Sequence, residues 1–239
     1  MLLLFLLSLL LHTYDARYEG KRLTTRHLGY QEYYMDIEYI VHTADVLFAG
    51  TISFLKFSYG YIKEDTNVLL YLYSVNVTRD YPGYDRISFP GEFLRDTTDN
   101  HTGKIHHAVY DEVESACARE MNNKTSYEIC LTKPNVVVIF ATRNVGHSYE
   151  PECEWMLDNI KVNVTITRWE KPFGKEGKDW RNPSDWNMKK ERVLTGRSYF
   201  LPNQQWIEYG WYYFRSSPDR KPRNVFKGFM PKVGQVLNL

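Results

Sequence analysis

The chain reads as a mainly β protein: an antiparallel sandwich of prealbumin or immunoglobulin type, or a barrel, with one short helix and a basic, Trp-rich C-terminal extension. Three observations predict this. Aromatic residues make up 15% of the 239 residues, with 19 Tyr, 12 Phe and 6 Trp, side chains that suit pleated sheets. Short runs dense in Val, Ile, Phe and Tyr recur between polar and Pro/Gly clusters. Ile160, Val162, Val164 and Ile166 alternate with Asn163, Thr165 and Thr167, the period of a half-buried strand. A hydrophobic content of 43% can bury a core, which excludes disorder for most of the chain. Missing repeats and long apolar runs exclude collagenous, coiled-coil and multi-span membrane classes. With 30 basic and 29 acidic residues, no net field draws nucleic acid or an anionic membrane.

Met1 to Leu11, MLLLFLLSLLL, has the length of a signal-peptide core and is too short to span a bilayer. Residues 1–20 are therefore expected to be a cleaved signal and 21–35, polar and Tyr-rich, a loose leader. A sandwich domain is expected over 36–167. Its strands are IEYIVH from Ile37, VLFAGTISFLKFSYGYI from Val46, NVLLYLYSVNV from Asn67, NVVVIFA from Asn135 and IKVNVTITRW from Ile160. Residues 95–104, RDTTDNHTGK, read as a hydrophilic turn. Val113, Ala116, Cys117 and Met121 fall near a 3.6-residue period, which predicts the helix over Asp111 to Met121. Composition shifts at 168: residues 168–232 hold fifteen basic and seven acidic residues, and five of the six Trp follow Thr167. Residues 168–239 form the extension, packing partly on the domain. Trp206, Trp211, Tyr212 and Phe214 lie in strand-like sequence that can join the sheet. The 169–192 stretch, with Pro172, Gly174, Gly177 and Pro183, is expected to be a loop.

Four sequons, at Asn76, Asn100, Asn123 and Asn163, behind a signal-like start predict a secreted, extracellular glycoprotein. No later segment reaches about 18 apolar residues, so no membrane span is expected. Three cysteines in an oxidising compartment leave one over. A Cys117–Cys130 bridge would close a short loop around the Asn123 sequon and leave Cys153 free for an intermolecular bond in a homodimer. Cys130–Cys153 is the competing pairing.

Chemistry-bearing patterns are few. His106-His107 would point to opposite faces of a strand, which is poor geometry for one metal ion. Glu152 and Glu154 beside Cys153 would raise its thiol pKa, opposite to what a nucleophile needs. No nucleophile elbow, Walker loop or dinucleotide fingerprint occurs, so neither catalysis nor a cofactor is expected. Dispersed carboxylates for a secreted hydrolase remain the alternative. More specific is the pattern in which Trp169, Trp180 and Trp186 alternate with cations that include Lys189, Lys190 and Arg192. Flat aromatic faces beside positive charge suit a glycan, a sulfated sugar or an acidic protein face. Packing of the same Trp residues against the domain is the structural alternative.

The order of elements from Val46 resembles the secreted transthyretin-like family of nematodes. LFAGTIS (Leu47 to Ser53) is similar to its V-x-G-x-L-x-C strand, and Val68 to Tyr73 to its V-x-V-x-L-Y strand. Thr98 to Ile105 resembles its T-D-x-x-G-x-F turn with one residue inserted. Pro134 to Phe140 resembles its P-x-L-x-I strand, and Cys153 to Ile166 its Cys-led strand. Ser53 stands where the family has Cys, and residues 168–239 have no counterpart. The resemblance implies a prealbumin-like sandwich, secretion, and a binding or signalling role without catalysis. A secreted viral or parasite decoy would share these features. The sequence thus points to an extracellular binding protein whose ligand is another protein, a glycan or a small apolar molecule.

Overall fold

In the computed structural model, residues 31–50, 55–74, 95–105, 107–141, 154–170 and 189–239 are described. In chain order the elements are β1 (Gln31–Thr43), β2 (Leu55–Lys63), β3 (Val68–Ser74), β4 (Thr98–Ile105), α1 (His107–Glu120) and α2 (Lys124–Thr132). There follow β5 (Val136–Ala141), β6 (Trp155–Glu170), β7 (Lys189–Phe200), β8 (Trp206–Ile207), β9 (Gly210–Arg215) and β10 (Val225–Gly228). All paired strands are antiparallel and form two sheets. The first has the order β4-β1-β6-β7, with β8 also on β6; the second has the order β10-β9-β5-β2-β3. The sheets are not closed on themselves, so the architecture is a sandwich and not a barrel.

Period-2 patterning explains the longest strands. Tyr33, Met35, Ile37, Tyr39 and Val41 of β1 are buried while their even-numbered neighbours are not. On β6 the same rule buries Ile160, Val162, Val164 and Ile166. These meet Phe57 and Tyr59 of β2, Val137 and Ile139 of β5, and Tyr212 and Phe214 of β9 in one core. The last aromatic strand is structural, as expected: β9 pairs with β5 and β10 inside the second sheet.

Four expectations are corrected. Two helices occur among the described residues, not one. The second is legible in hindsight, since Asn123 caps α2 by accepting the Ser126 N–H at 2.8 Å and Tyr127, Cys130 and Leu131 are buried at helical spacing. Residues 31–35 are not a loose leader but the start of β1, because Tyr33 and Met35 extend its buried face. The hydrophilic run read as a turn is largely β4, an edge strand that pairs with β1 from His42–Thr98 to Met35–Ile105; a strand with one neighbour tolerates polar residues. The composition boundary at 167/168 is not a structural one, since β6 runs through it to Glu170 and β7 pairs along it.

The helices fill the space beside the sandwich, and Cys117 of α1 is bonded to Cys130 of α2 with Cα atoms 5.8 Å apart. The Tyr71 hydroxyl donates to the Cys130 carbonyl at 2.7 Å, tying β3 to α2. Gly196 lets α2 approach β7: a Cβ there would lie 2.4 Å from the Thr132 carbonyl oxygen. On the far side of the second sheet a smaller cluster joins Ile62, Leu69, Val136, Val138 and Tyr213 to Leu237 and Leu239. The C-terminal segment holds its place by backbone bonds from Gly234 N to Leu69 O and from Leu237 N to Asn67 O, both 2.8 Å.

The core also holds the Tyr39, Tyr59 and Tyr110 hydroxyls with no hydrogen-bond partner among the described residues. Burial pushes all three above the ordinary phenol pKa, so they stay neutral. A buried polar group without a partner is destabilising. Tyr59→Phe is therefore expected to raise stability by about 1 kcal/mol, read as a higher urea midpoint at unchanged slope.

Candidate interaction surface

Trp169, Lys189, Lys190 and Arg192 were expected on a loop; the structure places these four on paired strands. Trp169 lies opposite Lys190, Glu170 opposite Lys189, and Thr167 opposite Arg192 in the β6–β7 ladder. Register therefore fixes what a loop would leave free. The Lys190 ammonium stands 5.2 Å from the centre of the Trp169 ring and 3.9 Å from a carboxylate oxygen of Asp36 on β1. Such a cation–π contact is worth about 0.5–1 kcal/mol at an exposed site. The indole N–H donates to Thr167 Oγ1 at 3.2 Å, which orients the ring. Tyr34 meets the indole edge-on at 5.8 Å.

The electrostatics of this corner are mixed. Arg168 and Glu191 form an ion pair, and Lys190 leans toward Asp36. Arg192 is exposed. Tyr34 donates its hydroxyl to Glu32 Oε2 at 2.6 Å. Partial burial, and then that bond and the Glu32 charge, push its pKa up to about 12, so it is a neutral donor near neutral pH. An aromatic ring and cations on the β6–β7 pair, with a phenol on the adjoining β1, can stack on a sugar face and attract a sulfate or carboxylate. Sequence reasoning missed Tyr34 and Asp36 because it assigned 21–35 to a leader and gave Asp36 no role; the alternation from Tyr33 to Val41 was the available signal. Trp180 and Trp186 lie outside the described residues.

Of the sequons, Asn76 lies outside the described residues. Asn100 is exposed on β4 opposite Ile40. Asn123 is exposed and caps α2 through Oδ1, not through Nδ2, the atom to which an N-glycan bonds. Asn163 sits opposite Glu38, half-buried on the outer face of the first sheet. There Nδ2 donates to Glu38 Oε2 at 2.5 Å, while Oδ1 accepts from Arg197 Nε at 2.6 Å. Six residues separate it from Trp169, about 20 Å along a strand, so a glycan at one leaves the other accessible. Cys153 and His106 lie outside the described residues, and His107 opens α1 rather than lying on a strand. Among the described residues no group of three or more His, Cys, Asp or Glu is placed to hold a metal ion. No described helix is long and apolar enough to cross a membrane.

No family model matches the chain, and no curated protein sequence does. Solved structures similar to parts of it include Delta413-417:GS LOX in complex with arachidonate, at 8% identity and a TM-score of 0.38 over 77% of this chain. Another is the alpha toxin from Clostridium absonum, at 16% identity and a TM-score of 0.31 over 79% of this chain. The chain spans only 16% of the first and 33% of the second. At these scores the likeness assigns no function.

Proposed function

We propose that the protein is a secreted, N-glycosylated β-sandwich that acts by binding, with the Trp169–Lys190 corner as its contact for an anionic glycan or an acidic protein face. The observation that carries this reading is the β6–β7 register, which puts the Trp169 indole on one face with Lys190 and the exposed Arg192. The apolar start, the four sequons and the transthyretin-like segments support an extracellular setting. Catalysis plays no part in this reading.

Heparin supplies the test. Wild-type protein from a eukaryotic secretory host is expected to bind a heparin column at low salt and to elute as salt screens the charges. Replacing Lys189, Lys190 and Arg192 with Ala is expected to abolish most retention while leaving secretion and thermal stability intact, because exposed cations such as Lys190 and Arg192 contribute little to folding. Flow-through of the wild type at low salt removes the anionic-glycan form of the proposal. Retention of the triple variant moves the contact elsewhere.

A further inference from the structure

We infer that the end of the sandwich opposite the Trp169 corner is a docking face for a zwitterionic lipid surface. Of nine large hydrophobic residues exposed among the described residues, six collect at this end: Val46, Leu47, Phe48, Tyr209, Phe229 and Met230. They come from three separate connections, and the pairing carries these to the same end. Ala44 N donates to the Met156 carbonyl and Met156 N to the Ala49 carbonyl, at 2.9 and 3.0 Å. Met156 pairs on β8 with Trp206. From β8 the chain passes Tyr209, whose ring lies 5.9 Å from that of Phe140, to Gly210 at the head of β9. Trp211 then pairs with Gly228, the last residue of β10, and Phe229 and Met230 follow.

Residues 44–49 of the first connection are tied down by backbone hydrogen bonds. Ala49 N donates to the Val46 carbonyl at 3.1 Å, closing a turn with Leu47 and Phe48 at its two central positions. Ala49 is fully buried while Leu47 is 67% and Phe48 88% exposed. Phe48 has φ +64°, a left-handed conformation that a bulky side chain adopts only at a cost. Among the described residues, neither hydrophobic burial nor backbone preference accounts for a Phe held outward in this way. Phe229, directly after β10, is also turned outward, at 92% exposed.

The chemistry of the face selects the occupant. Val, Leu, Phe and Met carry no hydrogen-bonding group suited to a polar rim, whereas protein hot spots favour Trp, Tyr and Arg over Leu and Val. Tyr209 supplies the amphipathic ring that favours a membrane interface. Around the tip stand Asp45, Asp96 and Asp158, with side chains 62%, 63% and 53% exposed. Arg95 pairs with Asp45, and the His42 ring lies between the other two carboxylates. On the β8–β9 side Glu208 pairs with Lys227. Among these described residues four carboxylates outnumber one arginine and one lysine, a balance that repels phosphatidylserine and matches the outermost ammonium of phosphatidylcholine.

Vesicle flotation tests the inference on the full glycosylated chain. Phosphatidylcholine vesicles are expected to carry the wild type upward, with no gain from added phosphatidylserine and no loss in high salt. Phe48→Gly and Phe229→Ser are each expected to lower partitioning about tenfold, from the burial of one Phe side chain. Neither should lower the melting temperature, since both rings are exposed and glycine relieves the backbone at 48. Failure of the wild type to float overturns the inference. So does binding that needs phosphatidylserine, or binding that survives the double variant. A photocross-link from position 48 to one protein of native fluid, without flotation, assigns the face to a protein instead.

Discussion

Trp155→Ala is expected to cost about 3–5 kcal/mol, the range for removing a large aromatic side chain from a core. Trp155 is 1% exposed and meets Phe57 of the facing sheet edge-on, with ring centres 6.5 Å apart. Its indole N–H donates to Thr43 Oγ1 at 3.1 Å, and Thr43 is itself fully buried. The position is also a junction. Trp155 opens β6 and pairs with Ile207 of β8, while the β1–β6 register shifts between His42 and Thr43 beside it. Alanine would leave a cavity where two sheets, a bulge and a short strand converge, and the bulge gives the backbone little scope to collapse into it. Trp155→Phe separates the contributions. It keeps most of the apolar contact with Phe57 and removes the donor to Thr43, so about 1–3 kcal/mol is expected. Urea unfolding followed by far-UV circular dichroism measures both, as a fall in midpoint at unchanged slope. A loss below 1 kcal/mol for the alanine variant would show that the junction is not packed as described.

Such effects also show which parts of the fold were legible in the residues. Where a strand has one dry face and one wet face, alternation is written into the chain, and β1 after Ile37 and β6 were readable from it. β5 was readable as an unbroken apolar run, because both of its faces are covered, one by the core and one by the C-terminal segment. β4 was not readable, since an edge strand with polar side chains carries no apolar signal. The 46–62 run was taken as one strand, although its first residues are a turn that exposes the same apolar types a strand would bury. The Trp169 corner was half legible. Residue types marked it as aromatic and cationic, but the contribution of Tyr34 and Asp36 comes from β1, more than a hundred residues away. Only pairing brings them together.

The bridge between Cys117 and Cys130 gives the second large expected effect. Both residues are fully buried, and the bond joins helices of 14 and 9 residues. Helices this short are marginal alone and depend on what holds them. α1 is held by Tyr110, Val113, Ala116 and Cys117 in the main core, and α2 by Tyr127, Cys130 and Leu131 in that core and by its N-cap. The loop between the cysteines is short, with a sequence separation of 13. Closing a loop of this size restricts the unfolded chain by about 3 kcal/mol in the chain-entropy model. Cys117→Ala with Cys130→Ala is therefore expected to lower the melting temperature by about 6–12 °C for a chain of this length. Alanine at both sites avoids burying two new hydroxyls, so the loss reports the tether and the sulfur contacts. Amide exchange should quicken first across 107–132 and leave β1, β2, β5 and β6 protected, because those strands are held by the ladders and not by the bridge. Peptide mapping without reductant checks the premise: a Cys117–Cys130 peptide is expected, and a Cys130–Cys153 peptide would contradict it. Uniform exchange across both sheets would mean that the helices are part of the cooperative core, and the bridge would then set the stability of the whole sandwich.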